Sequence, residues 1–159
     1  MLQLRAARID ELDKLTELCL QSKAVYGYDD DFMRCCRETL TFHPADVESS
    51  SICVAECDRE LLGAAQLFFS EGNAILQRLF VSPAKTRHGI GKALFGWSLQ
   101  MAHRAGARRL LIDCDPQAAG FFRRMGARPE GVVDSNIVPD RRMPRYQVTL
   151  SSRRPPSAE

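Results

Sequence analysis

Apolar and polar residues alternate over "MLQLRAA", placing Leu2 and Leu4 on one side and predicting a short first strand. From Ile9 the period changes. Ile9, Leu12, Leu15, Leu18 and Cys19 recur at helical spacing with charges between them, which predicts a helix. "AVYGYDDD" interrupts that pattern with Gly27 and three aspartates, which can start a second helix, "DFMRCCRETL", by accepting from its free N–H groups. "FHPADVESS" reads as a loop. "SICVAEC", "LLGAAQLFF" and "AILQRLFVSP" predict three strands, joined at "DRE" and "SEGN" into an antiparallel meander. A long helix is expected from His88 to Arg104, with Ile90, Ala93, Leu94, Trp97, Leu99 and Met101 on its buried side. "GARRLLIDCD" predicts another strand. "PQAAGFFRRMGA" predicts a short helix, with Pro116 in its first turn and Gly126 just past its end. "GVVDS" and "RYQVTL" supply the last strands, and residues 151–159, "SSRRPPSAE", read as a disordered tail.

Three hairpin-linked strands followed by a strand–helix–strand crossover require a mixed sheet with helices over its faces, an α/β (α+β) architecture of about six to seven strands. At 159 residues, 45% hydrophobic and 26% charged, the chain fits one domain over residues 1–150. A net charge of +2 supplies no concentrated basic face and argues against nucleic acid as a partner. No apolar run approaches a membrane span and no signal core is visible, so the expected location is cytoplasmic, without membrane association. The six cysteines show no Cys-x-x-Cys and the three histidines are scattered, so no metal site is expected and the thiols read as reduced apolar fillers.

The junction "SPAKTRHGIGKALF" changes this picture. Two glycines and Arg87, His88 and Lys92 stand between an apolar run and a helix, an arrangement suited to an anion. A P-loop would need glycine at 86 and Ser or Thr at 93, where the chain has Thr86 and Ala93; a dinucleotide fingerprint from Gly89 would need glycine at Leu94. What remains is a glycine-rich turn exposing main-chain N–H groups at the positive end of a helix.

The wider stretch "LFVSPAKTRHGIGKALF" resembles the signature of the GCN5-related N-acetyltransferase (GNAT) family, with Val81, Pro83, Gly89, Ile90 and Gly91 in register. "DPQAAGFFRRMGA" resembles the family's second block through Ala118, Phe121 and Gly126. "SKAVYGYDDDFM" and "IVPDRRMP" are similar to a bacterial subgroup of it. The resemblance implies the GNAT fold and acetyl-CoA or coenzyme A as cofactor. Its pyrophosphate would be held by amides of Arg87, His88, Gly89, Ile90, Gly91 and Lys92, and its pantetheine arm by the backbone of Leu79 and Val81, near Phe80, Asp115, Ala118, Phe121 and Phe122. The implied reaction is attack by a neutral amine, of a small molecule or a protein, on the acetyl thioester. A backbone N–H near Phe80 or Val81 would stabilise the oxyanion.

The chain departs from the pattern at two places. Thr86 replaces the usual Arg or Gln, and Phe122 stands where the family's general acid, a tyrosine, is expected. Cys114, Ser135 or a water could donate the proton instead, and Glu71 and Asp113 are candidates for the base. The alternative is a non-catalytic acyl-CoA-binding or sensing protein. Tyr26, Tyr28 and Asp29 to Asp31 would line the acceptor pocket, where carboxylates suit a cationic amine; an equal alternative is that the aspartates only start a helix and the tyrosines only pack. A monomer and a homodimer are both compatible with the strand pattern.

Overall fold

The structure, a computed structural model, describes residues 1–85, 88–135 and 137–150. Its elements run in the order β1 (Gln3–Ala6), α1 (Leu12–Ala24), α2 (Asp30–Leu40), α3 (Pro44–Ser49), β2 (Ser51–Cys57), β3 (Glu60–Ser70), β4 (Asn73–Val81), α4 (Ile90–Arg104), β5 (Arg109–Asp113), α5 (Ala119–Arg124), β6 (Arg128–Asp134) and β7 (Arg142–Thr149). Short 3₁₀ turns precede α1, α4 and α5. The strands form one seven-stranded sheet in the order β1-β2-β3-β4-β5-β7-β6, antiparallel except for the β4–β5 pair that the α4 crossover joins.

Because strand residues alternate in direction, the sheet feeds two cores. Cys53, Ala55, Ala65 and Leu67 pack with Leu94 and Phe95 of α4 and Phe122 of α5. Ile52, Val54 and Ala64 pack with Leu12, Leu15 and Cys19 of α1 and Cys36 and Leu40 of α2.

One irregularity decides where the functional site lies. In the β3–β4 ladder Gln66 pairs with Arg78 but Leu67 pairs with Leu76, so Gln77 is an extra residue in β4. Such a bulge re-aims the side chains beyond it. Before it, Ala74 and Leu76 face the α4 core; after it, Leu79 and Val81 face that core while Phe80 joins the α1–α2 side. The β4–β5 pairing stops at the same point, with Leu76 opposite Ile112, although β4 continues to Val81.

The expected strands, the meander and the crossover are all present. The stretch read as a loop after α2 instead contains α3. Pro44 occupies its first turn and Asp46 reaches back to accept from the His43 N–H at 2.8 Å, a start signal that its short length masked. The first helix begins at Leu12 after a 3₁₀ turn, leaving Ile9 exposed. On α4 the buried set is Ile90, Leu94, Phe95, Ser98 and Ala102, with Trp97 only partly covered. The segment 151–159, expected to be a tail, lies outside the described residues.

All six cysteines are free thiols. Cys19, Cys36, Cys53 and Cys114 are buried, and burial pushes Cys19 up to about 12 and Cys53 and Cys114 up to about 11. A thiolate reagent should therefore label exposed Cys35 first and half-buried Cys57 next, with the buried four reacting only on unfolding. Mass mapping of partially labelled protein checks this order.

Candidate functional site

Where β4 and β5 part, the sheet opens into a cavity of about 460 Å³. Its walls are Gln77, Arg78, Leu79 and Phe80 of β4, Asp113 of β5 with Cys114, Asp115 and Ala118 after it, and Phe122 of α5. Ser22, Lys23 and Tyr26 close it from α1 and the turn that follows, and Thr39 and Leu40 from α2. Val133, Asp134, Ile137, Met143 and Arg145 form the far rim.

The main chain of β4 presents an open edge to this cavity. Ser82 donates to Leu62 at 2.7 Å, so Ser82, Phe80 and Arg78 turn their N–H and C=O groups toward β3. Alternation turns those of Leu79 and Val81 the other way, beyond the end of the β5 ladder. Of the two candidate oxyanion donors, the Val81 N–H thus faces the open side and the Phe80 N–H faces β3.

Beside Val81 begins α4. Its first internal bond runs from the Ala93 N–H to the Gly89 carbonyl at 3.0 Å, so the N–H groups of Ile90, Gly91 and Lys92 have no partner inside the helix. Gly89, the N-cap, has no side chain to satisfy them and adopts a left-handed φ of 78°. Gly91 matters for close approach instead. A Cβ there would lie 3.2 Å from the Phe121 ring and 3.7 Å from Val81 Cγ2. The glycine lets the helix start rest against Phe121 and Val81. His88 and Lys92 flank this turn, His88 exposed and Lys92 exposed beside it; Arg87 and Thr86 lie outside the described residues.

Asp115 organises the cavity's inner wall. Only 7% exposed, it accepts from Lys23 Nζ at 2.7 Å, the Tyr28 hydroxyl at 2.6 Å and the Gln117 N–H at 2.8 Å, with Arg141 at 3.4 Å. Burial pushes its pKa up, but the bonds from Lys23, Tyr28 and the Gln117 N–H outweigh burial and hold it below the ordinary carboxylate range. Burial raises the pKa values of Tyr26 and Tyr28, and the Asp115 charge adds to this, so both phenols are neutral. Tyr28 stacks on Phe32, with ring centroids 4.1 Å apart.

The remaining predicted residues have distinct placements. Asp113 lines the cavity and receives two bonds from Arg145, at 2.7 and 2.9 Å. Cys114 lines it as a neutral thiol, with burial, Asp115 and Asp113 all disfavouring the thiolate. Phe122 lines it too, its ring held between Phe95 and Phe121 at centroid distances of 6.0 and 5.1 Å. Glu71 sits in the turn ahead of β4, outside the cavity walls. Ser135 Oγ accepts from the Ile137 and Val138 N–H groups at 3.1 and 3.4 Å, ordering the loop before β7. Asp29 caps α2 through Phe32 N–H at 2.8 Å and is exposed. Among the described residues no cluster of three His, Cys, Asp or Glu is placed to hold a metal, and no helix is long and apolar enough to cross a membrane.

Lys23, Arg78, Arg141 and Arg145 belong to the site without having been named as site residues from the sequence, although Lys23 and Arg141 lie in the two stretches similar to a bacterial subgroup. Their positions around one cavity come only from the fold, which brings α1, β4 and β7 together. The bulge that re-aims Arg78 has no glycine or proline to announce it.

Residues 48–126 match the family model for the acetyltransferase (GNAT) domain, and the chain carries a GNAT acetyltransferase domain. Solved structures agree in fold. The PaiA N-acetyltransferase of Thermoplasma acidophilum, in complex with coenzyme A, is 17% identical, with a TM-score of 0.78 over 94% of this chain and 99% of that one. A GCN5-related N-acetyltransferase from Rhodopseudomonas palustris is 16% identical, with a TM-score of 0.80 over 93% and 95%. A Bacillus subtilis acetyltransferase in complex with CoA is 18% identical, with a TM-score of 0.64 over 94% and 98%. No curated protein matches the chain in sequence.

Proposed function

We propose that the protein is an acetyl-CoA-dependent N-acetyltransferase acting on a primary amine. The observation that carries this reading is the open β4 edge at Leu79 and Val81, continuous with the N–H groups of Ile90, Gly91 and Lys92 that have no partner inside α4. A strand edge suits an amide-bearing arm, and a bare helix start suits a pyrophosphate. The residues present fit coenzyme A, as in the fold relatives solved with it. Acetyl-CoA supplies an activated thioester: the amine nitrogen bonds to the acetyl carbon as the C–S bond breaks, and the nitrogen's proton ends on sulfur.

The chain's own groups divide the remaining work. Leu79 and Val81 bind through their main chain, and the Val81 N–H can donate to the thioester oxygen. Phe122 excludes water from the reacting end but has no proton to give. Cys114, a neutral thiol on the same wall, is a side chain there that can pass one. Asp113 is the carboxylate on that wall able to accept the amine's proton, with Arg145 holding it in orientation. Six free thiols also support a reducing, cytoplasmic setting.

The test is incubation with acetyl-CoA across a broad panel of primary amines, reading acetylated product by mass spectrometry. Amine-dependent product with matched thiol release is the expected result. Saturable acetyl-CoA binding without any acetylated amine would overturn the enzyme reading in favour of an acyl-CoA-binding protein.

A further inference from the structure

The bulge at Gln77 turns Arg78 away from the α4 core and sets it in the cavity wall on the α1–α2 side. There the side chain is 8% exposed. Its Nη2 donates to the Thr39 carbonyl at 2.7 Å, and its guanidinium lies over the Phe42 ring, 4.3 Å from the centroid. Its Nη1 is buried with no partner. Among the described residues no carboxylate lies within ion-pair distance, and burial pulls the pKa of Arg78 down, against the weaker influence of Cys19 and Asp46. A guanidinium stays protonated even so, and a buried charge without a counter-ion is costly.

The rest of the wall does not compensate it. Asp113 is held by Arg145, and Asp115 is shared by Lys23, Tyr28 and Arg141. Asp134 projects into solvent at the rim. An acceptor with several cationic groups therefore meets no free carboxylate at the cavity's inner wall, whereas an anion meets, in Arg78, a wall guanidinium that has no counter-ion among the described residues. Lys23 and Arg141 share the Asp115 carboxylate and Arg145 holds Asp113, so among these cations Arg78 is the one with no carboxylate at all, and its planar guanidinium matches the planar fork of a carboxylate.

We propose that the acceptor is an amino carboxylate, a primary amine with a carboxylate in the same small molecule, and that Arg78 binds that carboxylate. This rests on the acetyl-transfer reading and names its substrate class. The bulge then serves specificity: it opens the β4 edge and, one residue later, aims the carboxylate's partner into the same cavity.

Equilibrium binding of reaction products tests this without depending on turnover. The N-acetyl forms of the common amino acids are titrated into protein saturated with coenzyme A, each beside its C-terminal carboxamide and the N-acetyl amine lacking the carboxyl group. For those that bind, the free carboxylate should bind about ten- to hundredfold tighter than its uncharged counterparts. Arg78→Gln and the volume-filling Arg78→Met should abolish that preference, while the coenzyme A-induced rise in Tm reports that each variant is folded and loaded. Equal binding of carboxylates and carboxamides, preference for N-acetyl amine phosphates, or a preference that survives both variants overturns the proposal while leaving acetyl transfer standing. A wild-type Tm that coenzyme A does not raise overturns the acetyl-transfer reading as well.

Discussion

Replacing Asp115 with asparagine is expected to destabilise the fold by about 3–5 kcal/mol, the usual consequence of removing one partner from a buried ion pair. Lys23 is 4% exposed and bonds the Asp115 carboxylate at 2.7 Å, with Arg141 at 3.4 Å on the same oxygen. Without that charge two cations face each other across the Tyr28 hydroxyl. The cluster joins α1, the segment after β5 and the loop before β7, so its loss loosens three walls of the cavity together. The pH dependence follows from the depressed pKa of Asp115. A carboxylate whose native pKa lies below its unfolded value of about 3.9 stabilises fully above that value, and this contribution is lost as pH falls through the native pKa. Wild-type protein should therefore shed stability below about pH 4, and the asparagine variant should lack that part of the acid slope. Denaturant unfolding of both proteins between neutral and acid pH measures it. A loss below about 1 kcal/mol, the scale of an exposed pair, would mean the cluster is solvated.

Phe122→Tyr is expected to raise kcat, by about 10²-fold at the low end of what a general acid contributes. Phe122 lines the cavity at the end of the cluster it forms with Phe95 and Phe121, so a hydroxyl there is added on a wall that already meets the reacting groups. The gain should appear in kcat with little change in KM for the acetyl donor, because the proton is needed only as the C–S bond breaks. An unchanged kcat would show that a proton donor such as Cys114 already suffices. Cys114→Ala in the wild-type background then separates the cases, lowering kcat only if that thiol donates.

The alternation in β1, the apolar runs of β2 to β4, the helical period of α1 and α4, and the Pro–Gly brackets of α5 are local signals, and each element is present, with the starts of α1 and α5 replaced by 3₁₀ turns. The helix α3 escaped because six residues carry too little periodicity, although Pro44 and Asp46 mark its start. The proposed cofactor side of the site could be named from the sequence because Val81, Gly89, Gly91 and Phe121 fall in two contiguous blocks. The acceptor side was not. Lys23, Asp115 and Arg141 lie on three separate segments that only the fold brings together, and Arg78 is aimed by a bulge that has no local sequence signature. Asp29 could be read from the sequence either as a pocket carboxylate or as the start of a helix, and the structure has it capping α2 in an exposed position.

The most direct test of whether the parted β4 edge and the α4 start hold coenzyme A is an amide-resolved NMR titration with coenzyme A, with ATP in parallel. Saturable shifts are expected at the amides of Leu79, Val81, Ile90, Gly91 and Lys92 with coenzyme A, and no response at Leu79 and Val81 to ATP. Undisturbed amides at those five residues at saturating coenzyme A, or shifts confined to another surface, would contradict that placement.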